Sequence, residues 1–240
     1  MILNINLVDF YSNFLNVLLD ANKEGKTAIF VNEEYLYAIS AINNNSIFLY
    51  NTYKPVSVSS IIPRINLNAS KLKTALTCIK DKEEVILSVE DNKLAYKDDN
   101  IKFHVRLLND NIVAVPNFNI NTFNNLQFDF SMKLTRKLVN ELKKGDAFCA
   151  ESNKFYFSIQ NGKPCFTFGD KTNSHVNEMC IALDTEYTGN TVESVFESSI
   201  LRMLFKTSND ITMRLNEKVL MFEIETDNSR QVYLTTKLKK

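Results

Sequence analysis

The chain repeats itself, and that constrains its fold more than any other feature, because a repeated unit has to bury its core in the same way twice. The stretch SKLKTALTCIKDKEEVILSVEDNKLAYK from Ser70 and the stretch SILRMLFKTSNDITMRLNEKVLMFEI from Ser199 both run from a helical pattern into a paired strand pattern. With one three-residue shortening after the helix, Leu72 meets Leu201, Lys73 meets Arg202, Val89 meets Leu215 and Leu94 meets Leu220. Upstream, the strand ILNIN before a helix from Leu7 matches LQFDF before a helix from Met132. Two similar domains follow, 1–118 and 119–240, joined through NDNIVAVPNFNINTFNN, which carries Pro116, many Asn and no helical period.

Each unit reads as strand, helix, several strands, helix and a further run of strands. The helical pattern predicts a helix over 131–145, capped by Ser131, with Leu134, Leu138 and Leu142 every four residues and Gly145 as its stop. The same reasoning predicts helices over 7–22, 68–81 (burying Leu72, Ala75, Leu76 and Ile79) and 191–208. Alternation marks strands in KFYFSI from Lys154, KPCFTF from Lys163 and IKFHVRL from Ile101. Few helices among many strands, without strand–helix–strand alternation, indicate an antiparallel α+β fold rather than a doubly wound sheet.

The 28 basic and 28 acidic residues cancel, so a protein that grips DNA by bulk positive charge is excluded and any nucleic-acid contact depends on where the charges sit. They sit on the helices. Opposite the leucines of 131–145 lie Lys133, Lys137, Asn140 and Lys144, with Arg136 and Lys143 beside them. On 68–81 the stripe is Lys73, Thr77 and Lys80, and on 191–208 it is Ser198, Arg202 and Lys206. The helix over 7–22 is the exception, with Asp9, Asn13, Asn16 and Asp20.

Catalytic chemistry is not legible. The five glycines form no phosphate-cradling pattern, and Cys78, Cys149, Cys165 and Cys180 form no C-x-x-C pair and read as reduced packing thiols. His104 lies in an alternating strand and His175 in a polar loop near Glu178, without a nucleophile motif. The acid pairs Glu33–Glu34, Glu83–Glu84 and Asp98–Asp99 fall where solvation explains them. No metal or cofactor is expected. No run of eighteen apolar residues or signal peptide is seen, so an intracellular chain with no membrane partner is expected.

A tandem repeat of strand-rich units of about 120 residues, each with two helices apolar on one side and basic on the other, resembles the DNA sliding clamps. AISAINNNSIFLY from Ala38 is similar to the clamp strand–loop–strand, and the VILSVEDNKLAYK hairpin after the repeated helix is similar too. The length resembles the trimeric branch, the proliferating-cell-nuclear-antigen type and the clamps of tailed bacteriophages. The chain is shorter than the eukaryotic proteins, which favours the phage type and the cytoplasm of a bacterial host. The acidic helix over 7–22 departs from the basic pattern and weakens the pore assignment there.

The resemblance implies two clamp domains per chain, sheets outside and helices inside a homotrimeric ring, closed topologically around double-stranded DNA without base reading. It implies an ATP-dependent clamp loader and a DNA polymerase as partners, with Lys73, Lys80, Lys133, Arg136, Lys137, Lys144, Arg202 and Lys206 facing DNA. It places a partner groove at Ile42 and Ile47, which flank Asn43, Asn44, Asn45 and Ser46, and at Ile112, Val113, Val115 and Pro116. A non-ring polymerase accessory subunit and an enzyme with an unrecognised site remain the alternatives.

Overall fold

The computed structural model describes the chain apart from residues 43, 44, 174, 188, 190–192, 239 and 240. It divides into two compact units. The first comprises Met1–Ile42, Leu49–Phe118 and Thr226–Gln231, and the second Asn43–Phe48, Asn119–Glu225 and Val232–Lys240.

The first unit starts with strand β1 (Ile2–Asn6) and helix α1, which runs from Leu7–Asp9 through a π-helical turn, Phe10–Leu15, into Asn16–Ala21. Strands β2 (Lys26–Val31), β3 (Leu36–Ile42), β4 (Ile47–Tyr53), β5 (Ser57–Ser59) and β6 (Arg64–Asn68) follow, then helix α2 (Ala69–Thr77) and strands β7 (Glu84–Glu90), β8 (Lys93–Lys97) and β9 (Lys102–Arg106). One sheet has the order β5-β1-β7-β8-β9, and the other strands lie in the order β4-β3-β2-β6.

The second unit repeats this plan. After a short helix α3 (Ile120–Asn124) come β10 (Phe130–Leu134), helix α4 (Arg136–Phe148), β11 (Lys154–Gln160), β12 (Lys163–Phe168), β13 (Met179–Ala182) and β14 (Glu193–Glu197). Helix α5 (Ser199–Leu204) and strands β15 (Ile211–Leu215), β16 (Val219–Glu225) and β17 (Ser229–Thr236, in this unit from Val232 on) complete it. The orders β13-β12-β11-β14 and β10-β15-β16-β17 reproduce those of the first unit, β5 being the addition there. The fold is α+β with antiparallel pairing. The hairpins show the repeat directly, since Val89 pairs with Leu94 in one and Leu215 with Leu220 in the other. The first turns through Asp91 and Asn92, both at positive φ, and the second is tied by Asn216, whose side chain accepts from the Lys218 and Val219 amides.

In the first unit the core gathers Phe10, Phe14 and Leu18 of α1 and Leu72 and Leu76 of α2 over Leu3, Ile5, Val85 and Leu87 of the sheet. Phe10 and Phe14 pack on Tyr53 at centroid distances of 5.2 and 6.0 Å. Tyr53 is fully buried, yet its hydroxyl is satisfied by the Asn6 backbone, whose N–H donates to it while its carbonyl accepts. The π turn presents carbonyls outside the regular helical ladder. Buried amides reach them: Asn51 Nδ2 donates to the Phe14 carbonyl at 3.1 Å and Gln231 Nε2 to that of Asn13 at 3.2 Å. In the second unit Phe155 is surrounded by Phe166, Phe168 and Phe196 at 5.6, 6.2 and 5.7 Å, each ring fully buried.

Several expectations need correction. Ser131 does not cap a helix: Phe130–Leu134 is a strand paired antiparallel with β15, and the cap is Thr135, whose hydroxyl accepts from the Leu138 amide. The four-residue spacing misled because Leu134 ends the strand while Leu138 and Leu142 belong to the helix. Of LQFDF, only Phe130 is in the strand. Gly145 does not stop α4 but lies buried inside it. The region 191–208 is not one helix: 191 and 192 lie outside the described residues, 193–197 is β14, and α5 spans Ser199–Leu204. In β11, Phe155, Tyr156, Phe157 and Ser158 are all buried, so that strand is covered on both faces instead of alternating. The helix over 68–81 shortens to α2, capped by Asn68, and 7–22 stands nearly as read. Cys149 and Cys165 are buried, whereas Cys78 and Cys180 are exposed; all four are free thiols.

Asp98, at the β8–β9 turn, carries the most concentrated set of polar contacts in the first unit. It accepts from Lys82 Nζ at 2.7 Å, from the Tyr96 hydroxyl at 2.6 Å and from the Ile101 and Asn100 amides at 2.6 and 2.8 Å. These hold its carboxyl well below the usual range, and the same pair pushes Lys82 up. Because the folded carboxyl titrates below its unfolded value of about 4, its contribution is complete above that pH and is lost as pH falls through the folded value. Asp98→Asn should therefore melt below the parent chain at neutral pH, with the gap narrowing progressively from about pH 4 downward. A gap independent of pH would show that the contacts do not depend on charge.

Candidate nucleic-acid interface

Helix α4 is the best-formed basic face in the chain. Thr135 caps it, Leu142 and Gly145 are buried, and Leu138 and Val139 are half-buried. The opposite side exposes Arg136, Lys137, Asn140, Lys143 and Lys144. Its approach to the sheet depends on Gly145. A Cβ there would lie 2.6 Å from Cδ2 of the buried Phe168 ring and 3.2 Å from Cδ1 of Ile181.

The other expected cations are placed less uniformly. Lys133 is exposed on β10, opposite Thr212, and not on the helix. The Arg136 guanidinium donates to the Ser208 carbonyl at 2.7 Å. Arg202, on α5, makes a two-pronged ion pair with Asp146 of α4, Nε to Oδ2 at 2.9 Å and Nη2 to Oδ1 at 3.0 Å. That pairing raises its pKa and offsets its charge locally. Lys206 is exposed in the turn after α5. In the first unit Lys73 is half-buried with its ammonium 5.4 Å from the Tyr11 ring centroid, while Lys80 is exposed beyond the end of α2. Lys71, exposed at the start of α2, adds a cation that the stripe spacing missed.

Helix α1 is not an acidic surface stripe. Asp9 Oδ1 accepts from Asn13 and Oδ2 from Asn228, both at 2.6 Å, and Asn16 is half-buried. The residues it exposes are Val8, Ser12 and Asp20.

One sheet edge is basic, and another is flanked by acids. β9 ends its sheet and exposes Lys102, His104 and Arg106; Lys102 is paired directly across from Lys97, and Arg106 from Lys93. Like charges directly opposite one another oppose pairing. β13 ends the four-stranded sheet; Cys180 and Ala182 on it and Glu178, Asp184 and Glu186 in the segments flanking it are exposed, while Ile181 and Leu183 are buried.

The residues expected in a partner groove have different exposures. Ile47 is fully buried and Val113 nearly so, Ile42, Val115 and Pro116 are half-buried, and Ile112 is exposed. Asn43 and Asn44 lie outside the described residues. The segment after β9 is strapped to its own unit: the Leu108 amide donates to the Asn66 carbonyl, Arg64 Nη2 donates to the Val113 carbonyl, and Phe118 stacks on Tyr50 at 6.3 Å. Among the described residues no cluster suited to a metal ion occurs, and no helix is long and apolar enough to cross a membrane.

No protein-family model and no curated protein matches this sequence. Solved structures do match. Proliferating Cellular Nuclear Antigen from Entamoeba histolytica superposes with a TM-score of 0.76 at 12% identity, over 99% of this chain and 98% of that one. A. fulgidus PCNA, solved with the C-terminal region of FEN-1 bound, gives 0.74 at 14% identity, over 100% and 98%. The Helicobacter pylori beta clamp, solved with a DNA ligase peptide, gives 0.69 at 16% identity, and this chain spans 66% of its length. The chain therefore has the sliding-clamp fold, with two clamp domains.

If Gly145 sets how closely α4 sits, Gly145→Val should destabilise the chain by about 1–3 kcal/mol in urea unfolding, because the buried Phe168 ring has nowhere to go. Unchanged stability would mean that helix and ring part freely.

Proposed function

We propose that this chain is a DNA sliding clamp, a non-catalytic ring of three copies that encircles duplex DNA and tethers a DNA polymerase. The observation that carries the reading is the clamp fold presenting, on α4, an exposed row of lysines on the side away from its sheet. A ring needs no strong grip, because leaving DNA requires opening the ring. Mobile contacts from Lys137, Lys143 and Lys144 to phosphates suit a net charge of zero and carry no sequence information. Closing the ring on DNA calls for an ATP-dependent loader, and the surface at Ile42, Ile112, Val115 and Pro116 is the proposed dock for short partner peptides. Lys73, Lys80, Lys133, Arg136 and Lys206 supplement the inner face, and Arg202 acts there chiefly by holding α5 to α4 through Asp146.

The two edges support closure. A strand end left open invites pairing with another chain, and a head-to-tail contact repeats around a ring. Laying β13 of one copy, with the flanking residues 178 and 183–184 continuing its line, antiparallel to β9 of the next allows two central registers. One sets Arg106 directly opposite Glu178, and the other sets Lys102 directly opposite Asp184. In each, the remaining cation has its acid on the diagonal. The like-charge pairs Lys97–Lys102 and Lys93–Arg106 then gain anionic neighbours.

Light scattering across a dilution series should give the mass of three copies of the 27.6 kDa chain. Lys102→Glu with Arg106→Glu should reduce it to one copy, and adding Glu178→Lys with Asp184→Lys should restore it. A parent chain that stays a monomer with and without DNA would instead favour a non-ring accessory subunit. For the inner face, Lys137, Lys143 and Lys144 changed together to Gln should reduce loading onto nicked circles and processive synthesis while leaving the melting temperature nearly unchanged. The parent clamp should stay on a circle and run off once it is cut; equal retention on linear DNA would indicate ordinary affinity.

A further inference from the structure

The basic face of α4 ends in a side chain that lysine–phosphate contact does not require. Phe148, in the last turn, is 55% exposed, one of the most exposed large apolar side chains among the described residues. It makes no ring–ring or cation–π contact with them, although Phe155, Phe157, Phe166 and Phe196 of the same unit pack on one another. Lys137, Lys144 and Phe148 follow at intervals of seven and four residues, which places all three within about 40° around the helix. Lys144 lies about 6 Å before Phe148 along the axis, one turn away. The ring therefore stands at the end of a cationic track.

Duplex DNA offers such a ring little, since its base faces are stacked on one another and its backbone presents charge. Unpaired DNA offers an open base face beside each phosphate, and a cationic track joined to an aromatic platform is how sequence-tolerant single-strand binding is built. We infer that Phe148, with Lys144 and Lys137, forms a stacking station for an unpaired deoxynucleotide. The inference rests on reading α4 as a nucleic-acid face but goes beyond it, because the preferred form of DNA at this position is single-stranded. Glu141 lies on the same side, and Lys143 and Lys144 outweigh it locally.

The chain has no tryptophan, so Phe148→Trp introduces a single fluorophore at an exposed position without background. A single-stranded deoxyadenylate oligonucleotide should quench its emission, and the same strand annealed to its complement should not. Phe148→Ala should weaken single-strand affinity on the order of tenfold and leave duplex affinity unchanged. Lys137→Gln with Lys144→Gln in the Trp variant should weaken the quenching and flatten its salt dependence. Equal quenching by both forms of DNA, no quenching by either, or unchanged single-strand affinity of Phe148→Ala would overturn the proposal. Retention on nicked circles, measured on Phe148→Ala, reports separately on the clamp reading, since ring closure on duplex DNA does not use this ring.

Discussion

The basic face depends on one contact, the seating of helix α4 through Gly145 on the Phe168 ring. A helix that covers an antiparallel sheet must be apolar on one side, and the width of its free side follows from how deeply that stripe sinks. With no side chain at 145, the backbone itself lies against Phe168 and Ile181, and a buried residue on either flank becomes unnecessary. Leu142 is the only other fully buried position in the helix. The face opposite is left to Arg136, Lys137, Asn140, Lys143 and Lys144. Glycine inside a helix costs about 1 kcal/mol relative to alanine, so the close approach offsets a local disadvantage. Asp146 and Arg202 then fix α5 beside it with a geometry that two planar groups specify well.

How much of this was legible in the sequence varied with burial. The repeat could be read because α2, β7, β8 and β15 each bury one face and so display their period. The aligned pairs Val89–Leu94 and Leu215–Leu220 are cross-strand neighbours in both units. Where a strand is covered on both faces, the period disappears. β11 buries four residues in succession, and β14 buries Ser194, Val195 and Phe196, which made 191–208 look helical. Leu134, Leu138 and Leu142 failed for another reason, since a strand end and a helix start happened to share a helical spacing.

The candidate site was legible where side chains act alone and hidden where they act in pairs. Lys137 and Lys144 project from α4 as their spacing implies, because a solvated lysine needs no partner. Arg202 is exposed on α5, but Asp146, distant in sequence, offsets its charge. The acidic stripe of α1 misleads in the opposite sense: Asp9 and Asn13 are engaged by Asn228 and Gln231, at the other end of the chain. No periodicity argument could supply those partners. Phe148 was visible in principle, four residues after Lys144, but a phenylalanine in a helix is ordinarily assigned to the core.

The assignment of Thr226–Gln231 to the first unit bears on the order in which the protein can be made. A chain emerging from the ribosome displays α1 and its π turn early, yet the amide that meets the Asn13 carbonyl and the one that meets Asp9 follow 218 and 219 residues later. The first domain therefore cannot reach its final hydrogen-bond complement until Asn228 and Gln231 have been synthesised. Its maturation waits for a segment more than two hundred residues downstream, and a chain terminated before that segment is left with an unfinished first domain.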